Sequence, residues 1–262
     1  MEIIRSIVLG IVQGLTEFIP ISSDGHLVLI RHILGWKDDG VMFDATLHLG
    51  TFLALIIFFW PIWRRLILTV IGKGTKEDKK LLGLLVVATI PGVIAGYLGE
   101  KVIDIIFRGL LGTGIGFIFT AILLYFADKL AGKGKDKKEF PTLIQSLNIG
   151  LMQAIAILPG VSRSGSTISV GIFSGLSKEK AAEFSFLMAM PITGGAGLFA
   201  LIKDFQEPKG SLVALLLGFL VSFFVGYFAI KYFLKYISQK SFKPFVVYLI
   251  CVGIVSLVIA WI

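Results

Sequence analysis

The chain has a single cysteine and few charged residues, and it carries none of the common nucleotide-binding motifs. Cys251 has no second cysteine to pair with, so an intramolecular disulfide and a multi-cysteine metal site are both excluded. Neither a Walker-type phosphate loop nor a glycine-rich dinucleotide fingerprint occurs, which argues against a protein driven by a bound nucleotide. Only 16% of the 262 residues are charged and 56% are hydrophobic, a composition too apolar for a soluble domain. We therefore predict an integral membrane protein.

Several apolar runs reach the roughly 17 to 25 residues that a helix needs to cross a hydrocarbon core. They lack the alternation of apolar and polar residues that is typical of strands in a membrane barrel. We therefore expect an all-α integral membrane protein with six transmembrane helices. The predicted crossings are approximately 45–63, 81–98, 110–127, 184–202, 212–230 and 245–262.

Basic residues cluster in three connections beside these runs, and the net charge of the chain is +8. Because these residues flank membrane segments and form no soluble basic face, we expect no nucleic-acid partner. By the positive-inside rule, the connections after the first, third and fifth crossings are cytoplasmic, and both termini lie outside. The N-terminal stretch shows no small-residue cleavage site, so we expect no removable signal peptide.

Two polar stretches, 13–26 and 158–167, interrupt the apolar sequence. Polar and ionisable groups are costly inside a bilayer, so we expect them to be functional. The apolar pieces beside each stretch are too short to cross, and Pro20 and Pro159 break the helices there. We therefore predict two re-entrant helix-loop-helix hairpins, at about 3–34 and 143–176.

The two halves of the chain also resemble each other. A shift of 140 residues aligns Ser6 with Ser146, Gly10 with Gly150, Gln13 with Gln153, Ser22 with Ser162 and Gly25 with Gly165. Each hairpin precedes three crossings, and because three is odd, the second half is inverted relative to the first. We predict one membrane domain, 1–262, arranged as an inverted repeat. Its parts are a first repeat at 1–127, a basic cytoplasmic linker at 128–140 and a second repeat at 141–262.

The first polar stretch carries groups suited to acid–base and nucleophilic chemistry. Glu17 can serve as a general base or a metal ligand, and it shares a helix face with Gln13. The following loop supplies the hydroxyls of Ser22 and Ser23 and the imidazole of His26. A nucleophile beside a base is the general pattern of covalent catalysis.

The second polar stretch carries groups suited to an anionic substrate. Arg163 is permanently charged, and its planar fork matches phosphate oxygens. A glycine-rich loop that opens a helix at about Gly165 presents unpaired backbone N–H groups to an anion. Further donors are the hydroxyls of Ser162, Ser164, Ser166 and Thr167. We predict that the two stretches together form one phosphate-processing site.

The two stretches resemble the signature motifs of the bacterial undecaprenyl-diphosphatase family, the bacitracin-resistance membrane phosphatases. The motifs are Gln13-Gly-Leu-Thr-Glu17-Phe-Ile-Pro20-Ile-Ser22-Ser23-Asp24-Gly25-His26 and Pro159-Gly160-Val161-Ser162-Arg163-Ser164-Gly165. The similarity covers essentially the whole chain. It implies hydrolysis of a polyprenyl diphosphate lipid, undecaprenyl diphosphate, to the monophosphate carrier of cell-wall synthesis. The resemblance also implies a site on the outer side of the bacterial cytoplasmic membrane.

The resemblance implies a divalent cation and a set of site residues. The implied catalytic residues are Glu17, Ser23, His26 and Arg163. The candidate phosphate ligands are Arg163, Ser162, Ser164, Gly165, Ser22 and Thr167. The candidate metal ligands are Glu17, Asp24 and Gln13. Oxygen ligands favour Mg²⁺ or Ca²⁺ over zinc.

Two positions depart from the commonest family pattern. Gln13 stands where many members have a second glutamate, which argues against a two-carboxylate metal site on this helix. Asp24 stands where Thr or Ser is usual, and it either provides an acidic ligand or caps the following helix. His48, inside the first crossing, has either a structural hydrogen bond or a role in the site.

The sequence leaves two mechanisms and two functions open. Either Ser23 attacks the terminal phosphorus with His26 or Glu17 as base, or water attacks directly with Glu17 as base. In both, Arg163 and the cation stabilise the phosphoryl charge. The alternative function is a transporter or flippase of a polyprenyl phosphate lipid, because secondary transporters commonly combine inverted repeats with broken helices. A homodimer also stays open, because 30 glycines make any Gly-xxx-Gly match uninformative.

Overall fold

The computed structural model describes residues 2–106, 109–131, 138–204 and 211–261, with the backbone alone at 99–106, 201, 203 and 204. These residues form eleven α-helices and no strand, which confirms the predicted all-α class. Most of the predicted linker, 128–140, lies outside the described residues. The helices are α1 Glu2–Phe18, α2 Ser23–Ile33, α3 Val41–Phe58, α4 Trp60–Val70, α5 Lys76–Ile106, α6 Leu110–Leu130, α7 Leu143–Ile155, α8 Arg163–Phe173, α9 Lys178–Asp204, α10 Leu212–Ile237 and α11 Lys243–Trp261.

Six of the described helices are long and apolar enough to cross a membrane, and they match the six predicted crossings one to one. They are α3, α5, α6, α9, α10 and α11. The predicted end of the first crossing at residue 63 is wrong, because α3 ends at Phe58 and α4 begins at Trp60. Pro61 explains the break, since proline lacks the N–H that a continuous helix requires but fits the first turn of a new one.

Large apolar side chains point outward from these helices. Tyr97, Leu212 and Trp261 are each at least 80% exposed. Contiguous exposed apolar surface is unfavourable in water and compatible with lipid. The chain is therefore a multi-pass membrane protein.

Four of the five shorter helices, α1, α2, α7 and α8, pack among the six long ones, while α4 packs against α3 and α5. α1 packs along α10 and α7 packs along α5, while α2 contacts α1 and α6, and α8 contacts α6, α7 and α9. Most of α8 is buried, including its serines and threonine, so it lies inside the helix assembly and not on its surface. This packing brings the α1–α2 loop and the α7–α8 loop together in the interior.

Candidate active site

Three functional side chains come from three helix ends that meet in the interior. Glu17 lies in the last turn of α1, Ser23 is the first residue of α2, and Arg163 is the first residue of α8. All three line one pocket of about 350 Å³, a volume typical of small-molecule sites. The two polar stretches, which are far apart in sequence, thus share a single cavity.

The α1–α2 loop is tight and locally strained. Ser22 has φ of 71°, which side-chain-bearing residues rarely adopt and which costs of order 1–3 kcal/mol. The Ser22 hydroxyl accepts from the N–H of Gly25 at 3.4 Å and so caps α2. The turn places Ser23 beside Glu17 in the preceding helix.

The α7–α8 loop depends on a glycine. Gly160 has φ of 80°, and a Cβ there would lie 2.1 Å from the carbonyl oxygen of Thr113 in α6. Ser162 caps α8 by accepting from the N–H of Gly165 at 3.1 Å, and its own N–H donates to Thr120 at 3.0 Å. The loop is thereby fixed against α6, with Arg163 directed at the first loop.

Glu17 is buried and surrounded by donors. Ser23 Oγ donates to Glu17 Oε2 at 2.6 Å, and Gln13 Nε2 donates to the same oxygen at 3.0 Å. Arg163 Nη2 donates to Glu17 Oε1 at 2.5 Å. A buried carboxylate is stable only with such partners. The arrangement pairs a hydroxyl with a carboxylate that can take its proton.

The two terminal nitrogens of Arg163 differ in their hydrogen bonding. While its Nη2 binds Glu17, its Nη1 is buried and has no partner among the residues that the structure describes. A buried guanidinium N–H without an acceptor is unfavourable unless a ligand supplies one. Because Arg163 lines the pocket, a phosphate oxygen there would satisfy it.

The pocket has one polar and one apolar side. Its polar side is formed by Glu17, Ser23, Arg163 and their neighbours. Its apolar side includes Ile192, Ala196, Gly197 and Ala200 of α9 and Ala45 of α3. The pocket therefore suits a ligand with an anionic head and a hydrocarbon part.

His26 is not among the residues that line this pocket. Its Nδ1 lies 2.7 Å from the carbonyl oxygen of Ser22, and its Nε2 lies 2.7 Å from the hydroxyl of Tyr248 in α11. The ring also packs against Phe117. With both nitrogens engaged, His26 connects α2 to α11 and does not contact Ser23.

The other predicted phosphate ligands separate into two groups. Ser22 and Ser162 line the pocket. Ser164, Gly165 and Thr167 do not, because each is bonded elsewhere. Ser164 Oγ lies 3.2 Å from Ser162 Oγ and donates to the Ile19 carbonyl at 3.3 Å, while Gly165 binds Ser162. Thr167 Oγ1 donates to the Arg163 carbonyl at 2.7 Å and lies 2.6 Å from Ser185 Oγ.

The three predicted metal ligands do not enclose an ion by themselves. Both oxygens of Glu17 are engaged by Arg163, Ser23 and Gln13. Within the described part of the chain, no group of three or more His, Cys, Asp or Glu residues is arranged to hold a metal. Asp24 lines the pocket with its side chain 67% exposed, and Gln13 Oε1 is buried without a protein partner in the described region. These atoms fit only a cation that takes most of its ligands from the substrate.

Sequence reasoning left His48 undecided and did not find Tyr248. His48 lines the pocket and lies 3.5 Å from Glu17 Oε2 and 3.1 Å from Asp24 Oδ1. The available signal in the sequence was the spacing of four residues between His48 and Asp44, which places both side chains on the same helix face. Both residues line the pocket. No local signal identifies Tyr248, because its partner His26 is 222 residues away in sequence.

The chain is similar to known proteins over nearly its whole length. The model of the family described as "Bacitracin resistance protein BacA" matches residues 6–255. An undecaprenyl-diphosphatase of Pelotomaculum thermopropionicum is 44% identical over 260 residues, covering 99% of this chain and 97% of that protein. An undecaprenyl-diphosphatase of Desulforudis audaxviator is 41% identical, covering 99% and 98%. One of Methanosphaera stadtmanae is 38% identical, covering 99% of both chains.

Proposed function

The chain belongs to the bacitracin resistance protein BacA family, and from this membership and its site we propose that it hydrolyses undecaprenyl diphosphate to undecaprenyl phosphate and inorganic phosphate. This reaction recycles the lipid carrier of cell-wall synthesis and confers resistance to bacitracin. The observation that carries the proposal is the bond of 2.6 Å between Ser23 and Glu17, with Arg163 on the other carboxylate oxygen. A lipid transporter needs no hydroxyl paired with a carboxylate, whereas a hydrolase that forms a phosphoserine does.

The chemistry begins with transfer of the terminal phosphoryl group to Ser23. Ser23 Oγ attacks the terminal phosphorus while Glu17 takes the hydroxyl proton, and the bond to the bridging oxygen breaks to release undecaprenyl phosphate. Glu17 passes this proton to the departing phosphate oxygen of undecaprenyl phosphate and becomes a carboxylate again. In the second half, water attacks the phosphoserine and gives a proton to Glu17, while the bond from phosphorus to Ser23 Oγ breaks. Glu17 returns the proton to Ser23 Oγ, and inorganic phosphate leaves. Glu17, and not His26, acts as base, because Ser23 donates its hydrogen bond to Glu17 and both nitrogens of His26 have other partners.

Arg163 stabilises the charge that develops on the phosphoryl oxygens. Its unpartnered Nη1 is available to a phosphate oxygen, and its bond to Glu17 holds it in place before the substrate arrives. Preorganised donors of this kind contribute a large share of catalysis in phosphoryl transfer. Ser22 and Ser162, which line the pocket beside Arg163, are the further phosphate contacts.

The apolar wall formed by α9 accommodates the isoprenoid chain. Ile192, Ala196, Gly197 and Ala200 present small or apolar side chains within the same pocket as the charged groups. Burial of hydrocarbon against such a wall favours binding of the lipid over free diphosphate.

A divalent cation, Mg²⁺ or Ca²⁺, accompanies the substrate in this proposal. Mg²⁺ is commonly held by one or two carboxylates together with substrate phosphates, and Asp24 is the exposed carboxylate of the pocket. When bound, the ion neutralises charge on the phosphate oxygens. Glu17, whose oxygens are engaged, keeps its role as base.

The proposed topology has two re-entrant hairpins, α1–α2 and α7–α8, within an inverted repeat of residues 1–127 and 141–262. Reciprocal packing supports it, since α1 packs along α10 of the second half and α7 packs along α5 of the first. Both hairpins contain helices too short to span a bilayer. In this topology the protein lies in the bacterial cytoplasmic membrane, both termini are outside, and the site opens outward.

The decisive test is phosphate release from undecaprenyl diphosphate by detergent-purified protein, with and without a divalent cation. Glu17→Ala and Arg163→Ala are expected to lower turnover at least about 10³-fold while the proteins stay folded. Glu183→Ala serves as the matched control, because Glu183 pairs only with Lys180 at the surface. If the wild type releases no phosphate, the proposed function fails and lipid transport becomes the better explanation.

The variant Ser23→Ala distinguishes attack by the Ser23 hydroxyl from direct attack by water. If Ser23 is the nucleophile, the variant is inactive, and rapid quenching of the wild type traps a phosphoserine at this position. Near-normal turnover of Ser23→Ala would show that water attacks directly. Ser256→Ala, in α11 and bonded only to a backbone carbonyl, controls for loss of a buried hydroxyl.

A further inference from the structure

His48 lies on the pocket wall, outside both polar stretches. Its Nδ1 is 2.9 Å from Gln13 Nε2, and its Nε2 is 3.1 Å from Asp24 Oδ1. The ring therefore links a residue of α1 to a residue of α2, next to Glu17. When both imidazole nitrogens have partners, those partners decide which nitrogen carries the hydrogen.

The partners of His48 select one tautomer. Gln13 Nε2 also lies 3.0 Å from Glu17 Oε2, and a carboxylate oxygen only accepts, so this atom of Gln13 is the amide nitrogen. One of its hydrogens goes to Glu17 and the other to His48 Nδ1, which must accept. A neutral His48 then carries its hydrogen on Nε2 and donates it to Asp24, and this is the form that the following proposal requires.

We propose that Asp24 and His48 are positioning residues that orient Gln13 on the carboxylate of Glu17. This inference rests on the proposed hydrolase function. Asp24 holds His48 in the Nε2–H form, the free Nδ1 gives Gln13 an acceptor, and Gln13 then directs its second hydrogen at Glu17 Oε2. Neither Asp24 nor His48 contacts the reacting hydroxyl in this arrangement.

Orientation of the carboxylate matters because Ser23 donates to the same oxygen, Oε2. The terminal torsion of a glutamate is broad, so the carboxylate plane is set by hydrogen bonds and not by rotamer preference. Arg163 holds only Oε1. The donor from Gln13 fixes the other oxygen and with it the lone pair that receives the Ser23 proton. Loss of this donor lowers the rate of proton transfer and leaves the substrate contacts in place.

Two amide replacements of His48 test which nitrogen matters. The oxygen of His48→Asn lies near the position of Nδ1 and can accept from Gln13, whereas the amide of His48→Gln lies near Nε2 and reaches only Asp24. We expect His48→Asn to retain most of the wild-type kcat and His48→Gln to lower kcat about 10- to 100-fold with little change in KM. His32→Asn, at the exposed end of α2, is the matched control. Equal losses in the two His48 variants would overturn the proposal.

The role of Asp24 is tested by asking whether it depends on His48. Asp24→Ala is expected to lower the kcat of the wild-type protein. In the His48→Asn protein, where no tautomer needs to be held, the same change should lower kcat by a smaller factor. The loss of kcat that remains in the His48→Asn background measures any contact of Asp24 with the cation. Equal costs in the two backgrounds would contradict a positioning role for Asp24.

The tautomer itself is measurable without activity. The ¹⁵N NMR spectrum of histidine-labelled protein distinguishes a protonated from an unprotonated ring nitrogen, and the chain has only three histidines. We expect His48 as the Nε2–H form and His26 as the Nδ1–H form, because His26 Nδ1 faces a carbonyl oxygen. Hydrogen on Nδ1 of His48 would refute the inference even if the wild type proved an active hydrolase. Conversely, an inactive wild type with the expected spectrum would refute the proposed function alone.

Discussion

The two polar loops differ in what their side chains bind. In the first, polar groups pair with other side chains, as Ser23 does with Glu17 and Asp24 with His48. In the second, the hydroxyls of Ser164 and Thr167 each donate to a backbone carbonyl, and their side-chain partners are other hydroxyls. Side-chain pairs concentrate reactive groups at one point, whereas bonds to the backbone fix the shape of a loop. In the proposed mechanism, the first loop therefore supplies the nucleophile and the base, and the second supplies Arg163 on a rigid support.

Two glutamines at equivalent positions show the same contrast. Gln13 and Gln153, 140 residues apart, are both almost completely buried. The Gln13 amide nitrogen binds Glu17 and His48, whereas both polar atoms of Gln153 have no partner within the described region. A buried amide without partners costs about 1–3 kcal/mol. Hydrogen bonds to Glu17 and His48 therefore distinguish Gln13 from its counterpart in the second half.

The largest expected effect concerns Arg163. This residue is the exception to the contrast between the loops, because it lies in the second loop but its side chain binds Glu17. Arg163→Lys keeps the charge but loses the planar fork, so one side chain no longer binds Glu17 and a phosphate oxygen together. We expect kcat/KM to fall about 100-fold. The exposed Arg65, changed to Lys, is the matched control. A fall of less than threefold would mean that charge alone suffices at this position.

A second prediction concerns the rigid support. Gly160→Ala places a Cβ 2.1 Å from the Thr113 carbonyl oxygen, a backbone atom that cannot move away easily. We expect a loss of more than about 2 kcal/mol in stability, read as a lower Tm in detergent. Gly72→Ala has nearly the same positive φ with no atom within 4 Å, and so isolates the backbone strain. Equal losses in the two variants would show that the contact with α6 contributes nothing.

The sequence predicted the long helices far better than the site. Hydropathy locates all six crossings because burial in lipid requires long apolar runs. It extends the first crossing past Phe58 because hydropathy does not register the helix break at Pro61. Motifs identified Glu17 and Arg163 as candidates. They did not give the orientation of His26, which depends on Tyr248 in α11. Contacts between distant helices are decided by packing, and no local pattern encodes them.

A smaller effect is expected when Gln13 and Gln153 are each replaced, and it tests how the two glutamines differ. Gln13→Leu removes the donor to Glu17 and the partner of His48, so we expect kcat to fall about 10-fold. Gln153→Leu removes an amide that has no protein partner, so activity is unchanged and Tm is equal or higher. Phosphate release and thermal unfolding in detergent measure both. A large loss of activity in Gln153→Leu would give Gln153 a chemical role and end the contrast between the two glutamines.

The smallest expected effect concerns Thr167, which the sequence offered as a phosphate ligand. Its hydroxyl instead binds the Arg163 carbonyl and Ser185, so Thr167→Val is expected to cost about 1–2 kcal/mol of stability with KM unchanged. Most of that cost arises because the Ser185 hydroxyl is left buried without its partner. Thr167→Val combined with Ser185→Ala removes both groups and should recover part of the lost Tm. A raised KM in the single variant would instead place Thr167 at the phosphate, together with Arg163.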